Sequence, residues 1–150
     1  MSVERWKGNP IEKRLKEFHQ DNMIPVVGEM ESPNFPEQLD KIFNVMTYHD
    51  SVWTKTDRET MNNSIFEALK PGGIYGIIDH NAKKGRGIDN CHDIHRIEKS
   101  YVIEEVIKSG FYFKDESMIL NNPNDAMDLM VFDKSIRDQT SRFIIVFQKK

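Results

Sequence analysis

Cysteine is nearly absent from this sequence. The single Cys91 among 150 residues excludes an internal disulfide and any multi-cysteine zinc motif. A lone thiol fits a reducing compartment. Its plain reading is structural, with a reactive thiol as the alternative. Long hydrophobic runs are also lacking. The longest, Ile74 to Ile78 and Phe143 to Phe147, fall far short of the roughly 20 apolar residues that cross a bilayer, so no helical membrane span is expected. Basic excess is missing too: 21 Lys and Arg face 24 Asp and Glu, for a net charge of −3. That balance argues against a surface that tracks nucleic-acid phosphates. The opening residues, Met1 to Gly8, lack the basic and apolar regions and the cleavage site of a secretory leader, which makes a cytoplasmic location the expectation.

What is present suits a folded chain. Charged residues make up 30%, yet nine Phe and several Ile/Val clusters supply a core. The length is that of one domain, so residues 1–150 are read as a single unit. Asn9, Pro10, Ile11, Leu15 and Phe18 predict a short amphipathic helix from about 9 to 20. Residues 23–30 read as a brief strand limited by Pro25, and Leu39 to Tyr48 as a second strand. From about Asp57 to Leu69, residues Met61, Ile65, Ala68 and Leu69 share a helical face, which Pro71-Gly72-Gly73 ends. Ile74 to Ile78 has the continuous apolar character of a central parallel strand. A long polar segment, 81–97, is a candidate for substrate contacts. A helix stripe follows at Val102, Ile103, Val106 and Ile107, ended by Gly110. Two strands near 111–120 and 142–148 close the chain. The order αβαβαβ followed by two strands predicts an α/β fold with right-handed crossovers and an antiparallel strand pair at its end.

Leu69-Lys70-Pro71-Gly72-Gly73 ahead of an apolar strand resembles the turn before the fifth strand of class I S-adenosylmethionine-dependent methyltransferases. The series Thr47-Tyr48-His49-Asp50, Asp79-His80, Ile94-His95-Arg96-Ile97, Phe132-Asp133, Ile136-Arg137 and Arg142-Phe143 resembles a bacterial branch of predicted methyltransferases over roughly residues 10–150. The resemblance implies a Rossmann-like, three-layer α/β/α sheet and S-adenosyl-L-methionine as cofactor. The family opens with a strand and a glycine-rich loop at the methionine end of the cofactor, and nothing before residue 10 resembles them. The expectation is therefore an N-terminally truncated methyltransferase domain. Its missing first strand and loop would come from a partner chain, or the exposed apolar edge would make it a homo-oligomer. Gly85-Arg86-Gly87 follows the fifth-strand candidate and is misplaced for that loop.

On the resemblance, Glu29 matches the acidic residue near the adenine amino group, and Met30 would lie against the purine. A solvated loop glutamate is the alternative for Glu29. Thr47 is grouped with them on the cofactor side. Glu4 reads as a terminal charge rather than a ribose ligand. Tyr48, His49 and Asp50 end the fourth-strand candidate, Asp79 and His80 the fifth, and such strand ends converge on one crevice. A histidine beside a carboxylate is a candidate general base. With His95 and Arg96 from the long segment, these seven form the candidate catalytic set, the alternative being polar turn formers. Lys83, Lys84 and Arg86 offer an anion site or a solvated loop. His80, His92 and His95 with Asp79 invite a metal, but the i, i+3 pair His92/His95 lacks the HExxH spacing, so no resident metal is expected. Three readings follow: methyl transfer to a small-molecule acceptor, a non-catalytic remnant or interaction subunit of the same fold, and, ranked below both, a small metal-dependent hydrolase.

Overall fold

The computed structural model describes residues 10–18, 22–26, 28–35 and 38–150. The elements are α1 (Pro10–Phe18), β1 (Leu39–Val45), α2 (Asp50–Trp53), α3 (Arg58–Ala68), β2 (Leu69–His80), α4 (Cys91–Ile94), α5 (Lys99–Lys108), β3 (Tyr112–Ser117) and β4 (Arg142–Gln148). The strands form one sheet in the order β1-β2-β4-β3. β1 and β2 are parallel, joined through α3, while β4 is antiparallel to both β2 and β3. The closing strand pair thus inserts its last member between β2 and β3.

Local chemistry explains the helix between the parallel strands. The Asp57 carboxylate accepts from the backbone N–H groups of Glu59 and Thr60, satisfying donors that the first turn of α3 leaves open. At the other end, the Lys149 ammonium donates to the carbonyls of Phe66, Glu67 and Leu69. A cation from the far end of the chain thereby caps the negative end of the helix. The buried side chains of α3 and α5, Met61, Ile65, Val102 and Val106, meet Ile42, Tyr75, Ile77, Phe143, Ile145 and Phe147 of the sheet in one core. Phe111 joins it, edge-on to Phe66. Gly110 ends the turn after α5 at φ +95°, a conformation that other residues rarely adopt.

Two expectations are corrected here. Pro71-Gly72-Gly73 does not lie between helix and strand. Leu69 is already extended and pairs with Leu39, so the turn residues form an irregular opening of β2, where the register with β1 shifts. Residues 23–26 are not a strand: Ile24 and Val26 are exposed, and Pro25 lacks the N–H that a ladder needs. The part of that prediction at residue 27, and the helix ends at 9 and 19–20, lie outside the described residues.

The two faces of the sheet differ. α3 and α5 cover one. On the other, Phe43 crosses Gly76, where a Cβ would stand 2.7 Å from the ring. Phe43 and Val45 are exposed, and Ile78, Ile144 and Val146 are half-buried. Among the described residues, no strand pairs with the outer edge of β1. No helix of the described residues is long and apolar enough to cross a membrane.

Candidate functional site at the carboxyl ends of β1 and β2

Beyond the carboxyl ends of the parallel pair lies a cleft of about 710 Å³, walled by His49, Asp50, His80, His95, Trp53 and Phe132 with Arg137 at its lining. Its floor is the turn after β1, where Met46 takes a left-handed φ of 59°. Asp79, fully buried at the end of β2, organises the floor. Its Oδ2 accepts from the His49 backbone N–H at 2.8 Å, and its Oδ1 lies 2.7 Å from His49 Nδ1. Oδ1 also accepts from the His80 backbone N–H. One carboxylate therefore fixes both the position and the ring orientation of His49.

The other ring nitrogen of His49 faces the cleft. Nε2 lies 3.1 Å from Asp50 Oδ1 and 3.2 Å from His95 Nδ1, and the last two atoms are 3.6 Å apart. Trp53 Nε1 donates to the same Asp50 oxygen. His95 reaches this point from the left-handed residue that ends α4 and packs its ring 5.4 Å from that of Phe132. A left-handed residue commonly closes a helix, and here it turns the chain so that the His95 ring enters the cleft.

Protonation follows the geometry. Burial acts to lower the pKa of His49, but hydrogen bonds to Asp50 and Asp79 outweigh it and raise the value to about 9. His80 goes the other way. Burial pushes it down to about 4 against the opposing charge of Asp79, with His49 and two arginines adding repulsion. Its Nδ1 is 2.8 Å from Thr140 Oγ1. His95 is lowered by burial and by the neighbouring His49. Burial acts to raise Asp50, yet its bonds to His49 and Trp53 hold it below the usual carboxylate range.

The structure brings His49, Asp50, Asp79, His80 and His95 together, but not Tyr48 or Arg96. Tyr48 points the opposite way from His49, into the core, where Asn62 donates to its hydroxyl and the hydroxyl donates to Glu105. Burial drives its pKa far up, which removes it from proton chemistry in the cleft. Arg96 is fully buried and saturated: it pairs through two nitrogens with Asp125 and donates to the carbonyls of Leu129 and Asn81. Asp125 in turn accepts from the backbone of Ser141 and Met127. Arg96 is thus a positioning residue, pinning the β3–β4 connection over the cleft. Of the metal quartet weighed from spacing, His92 is 79% exposed and bonded to Asp93, and His80 turns to Thr140, so those four do not converge.

Sequence reasoning gave no role to Trp53, Phe132, Arg137, Thr140 or Asp125. Phe132 and Arg137 stood in quoted motifs, which was the available signal. The others depend on contacts that no local pattern carries.

Of the residues expected to bind cofactor, Met30 and Thr47 border a second cleft of about 360 Å³ along β1, with Phe35, Ile42 and Phe43 in its wall. Thr47 Oγ1 donates to Asn44, and Met30 packs against the core. Glu29 is exposed and does not line this cleft. In the Gly85-Arg86-Gly87 turn, the Gly87 N–H is bonded to Glu98, ahead of α5.

The fold defined by this sheet order and strand-end crevice is that of the class I S-adenosylmethionine-dependent methyltransferases. The chain is similar to a SAM-dependent methyltransferase from Aquifex aeolicus, with a TM-score of 0.65 and 12% identity over 95% of this chain and 63% of that one. It is also similar to the glycopeptide N-methyltransferase MtfA solved with S-adenosyl-L-homocysteine, at TM-score 0.62 and 13% identity over 93% and 67%. A third similarity is to the [4+2]-cyclase SpnF, at TM-score 0.60 and 13% identity over 92% and 60%. The chain spans about three fifths of the length of the first of these proteins. No protein-family model and no curated protein sequence matches it.

Proposed function

We propose that this chain supplies the acceptor side of an S-adenosylmethionine-dependent methyltransferase acting on a small molecule. The observation that carries the reading is the crevice outside the carboxyl ends of two parallel strands in a methyltransferase sheet, lined by four histidines. S-adenosylmethionine, when bound, supplies an electrophilic methyl sulfonium. The chain's own part is to hold an acceptor in line and keep water out. Phe132 and Trp53 offer apolar walls, and Arg137 offers a charge for an anionic group. His80 is the candidate base for an acceptor that carries a proton. Met30 and Thr47, with Glu29 nearby in sequence, are assigned to the adenosine side. The similarity to a cyclase as well as to methyltransferases keeps the reaction a property of the site and not of the fold.

A non-catalytic interaction subunit is the second reading, favoured by the apolar edge of β1, with which no strand of the described residues pairs. Calorimetric titration with S-adenosylhomocysteine separates the two. The 150-residue chain by itself is expected to bind weakly or not at all, and micromolar binding would refute the missing-loop account. Joined to a strand and glycine-rich loop, it should bind and turn over. In that form His80→Ala should lower turnover by about 100-fold with little change in affinity, and Met30→Ala, at the wall of the cleft along β1, should weaken binding first. Failure of the joined form to bind favours the interaction subunit.

A further inference from the structure

The buried histidine on the cleft floor presents an unusual juxtaposition. His49 is 5% exposed, and its Nδ1 is committed to Asp79. When Nδ1–H donates to that carboxylate, Nε2 carries a lone pair directed at the cleft. Facing it are the Asp50 oxygen and His95 Nδ1, so three electron-rich atoms lie 3.1, 3.2 and 3.6 Å apart. A proton shared between Nε2 and Asp50 can occupy this point, and a metal ion that displaces it finds all three donors already in place. The separations match the roughly 3.3 Å edges of a tetrahedron with metal–ligand bonds of about 2.0–2.1 Å. Asp79 behind His49 is the carboxylate that metal-bound imidazoles commonly have behind them. His49 and Asp50 are neighbours at the start of α2, and His95 is brought to them from the end of α4, 45 residues further along the chain.

We propose that His49 Nε2, Asp50 Oδ1 and His95 Nδ1 bind one divalent transition-metal ion of the zinc type, leaving a coordination position open to the cleft. Two imidazoles, one carboxylate and an open position form the ligand pattern of catalytic rather than structural zinc. The open position faces the space bordered by His80 and Phe132, where a water or an oxygen or nitrogen of a small molecule would complete the shell. The ligand set differs from the His80, His92, His95 and Asp79 grouping considered from spacing. It also stands independently of methyl transfer, since it requires no cofactor.

The test uses the full chain, with Co²⁺ followed by its visible d–d absorption and Zn²⁺ by calorimetric titration. One equivalent of Co²⁺ is expected to give the strong bands of a four-coordinate ion, and Zn²⁺ to displace it. Asp50 and His95 are each 24% exposed, so Asp50→Asn and His95→Ala change the ligands without opening the core. Each should weaken binding by more than the roughly 10–100-fold that loss of an outer partner costs, with thermal melting showing the variants folded. His92→Ala, at an exposed histidine of the same cleft, should leave affinity unchanged. Absence of stoichiometric Co²⁺ binding in the unaltered chain would overturn the proposal. So would a His92→Ala loss equal to that of His95→Ala, because it would mark a general surface-histidine complex.

Discussion

The cleft beyond β1 and the outer edge of the same strand lie a few residues apart, yet their construction differs. Around the cleft, groups distant in sequence fix one another: Asp79 holds His49, Thr140 holds His80, and Arg96 with Asp125 holds the connection that carries Phe132 and Arg137. Along the edge, Phe43 and Val45 are exposed, and no described strand completes the ladder. The second cleft, along β1, has an apolar wall at Met30 and Phe35. The contrast teaches that long-range polar contacts can specify one end of a sheet tightly while an edge strand beside it carries exposed apolar side chains.

The sharpest way to break this comparison is to attack the strap over the cleft. Arg96→Ala leaves Asp125 buried without its partner, and loss of one member of a buried ion pair costs about 3–5 kcal/mol. Chemical unfolding should register that loss. A change near zero would mean that the β3–β4 connection is not held as described. Next in size is a paired substitution across the sheet. Ile77→Ala in the fully buried centre should cost about 2–5 kcal/mol. Phe43→Ala, at a residue 62% exposed, should stay within about 0.5 kcal/mol, as surface changes do. Equal costs would show that the β1 edge is covered in solution.

The same edge predicts association. An unpaired strand carrying apolar side chains is a template for pairing. Light scattering should find self-association that Phe43→Lys reduces, and a monomer resistant to concentration would contradict this. The smallest effect expected is pH-dependent. Burial acts to raise the Asp125 carboxyl, but backbone N–H bonds from Ser141 and Met127, with Arg96, hold it below the ordinary range. A pKa lower in the folded than in the unfolded state stabilises above the unfolded value, about 3.9, and that stability disappears as pH falls through the folded value. The melting-temperature advantage over Asp125→Asn should therefore be flat through neutral pH and shrink below about pH 4.

Much of the scaffold was legible because its signals are local. The helical face of α3 at Met61 and Ile65, the stripe of α5 with Gly110 beyond it, and the apolar runs of β2 and β4 each arise from neighbours within a few residues. The site was legible only in outline. Strand-end placement pointed to His49, Asp50, Asp79 and His80, but successive residues there diverge. Tyr48 therefore serves the core while His49 faces the cleft. Arg96 and His95 are likewise adjacent, one buried in an ion pair and the other at the cleft.

By itself, the amino-acid sequence determined the α/β class, the order of most elements and the polar character of the long segment after β2, since periodicity and caps act over short spans. Only the tertiary structure decided that Pro71-Gly72-Gly73 belongs to β2, where pairing with β1 overrides the turn preference of those residues. It alone brought Asp79 and His95 within hydrogen-bonding distance of His49. Which side chains meet at a sheet's end depends on register and on where a distant loop returns. Neither is encoded in the spacing of residues along the chain.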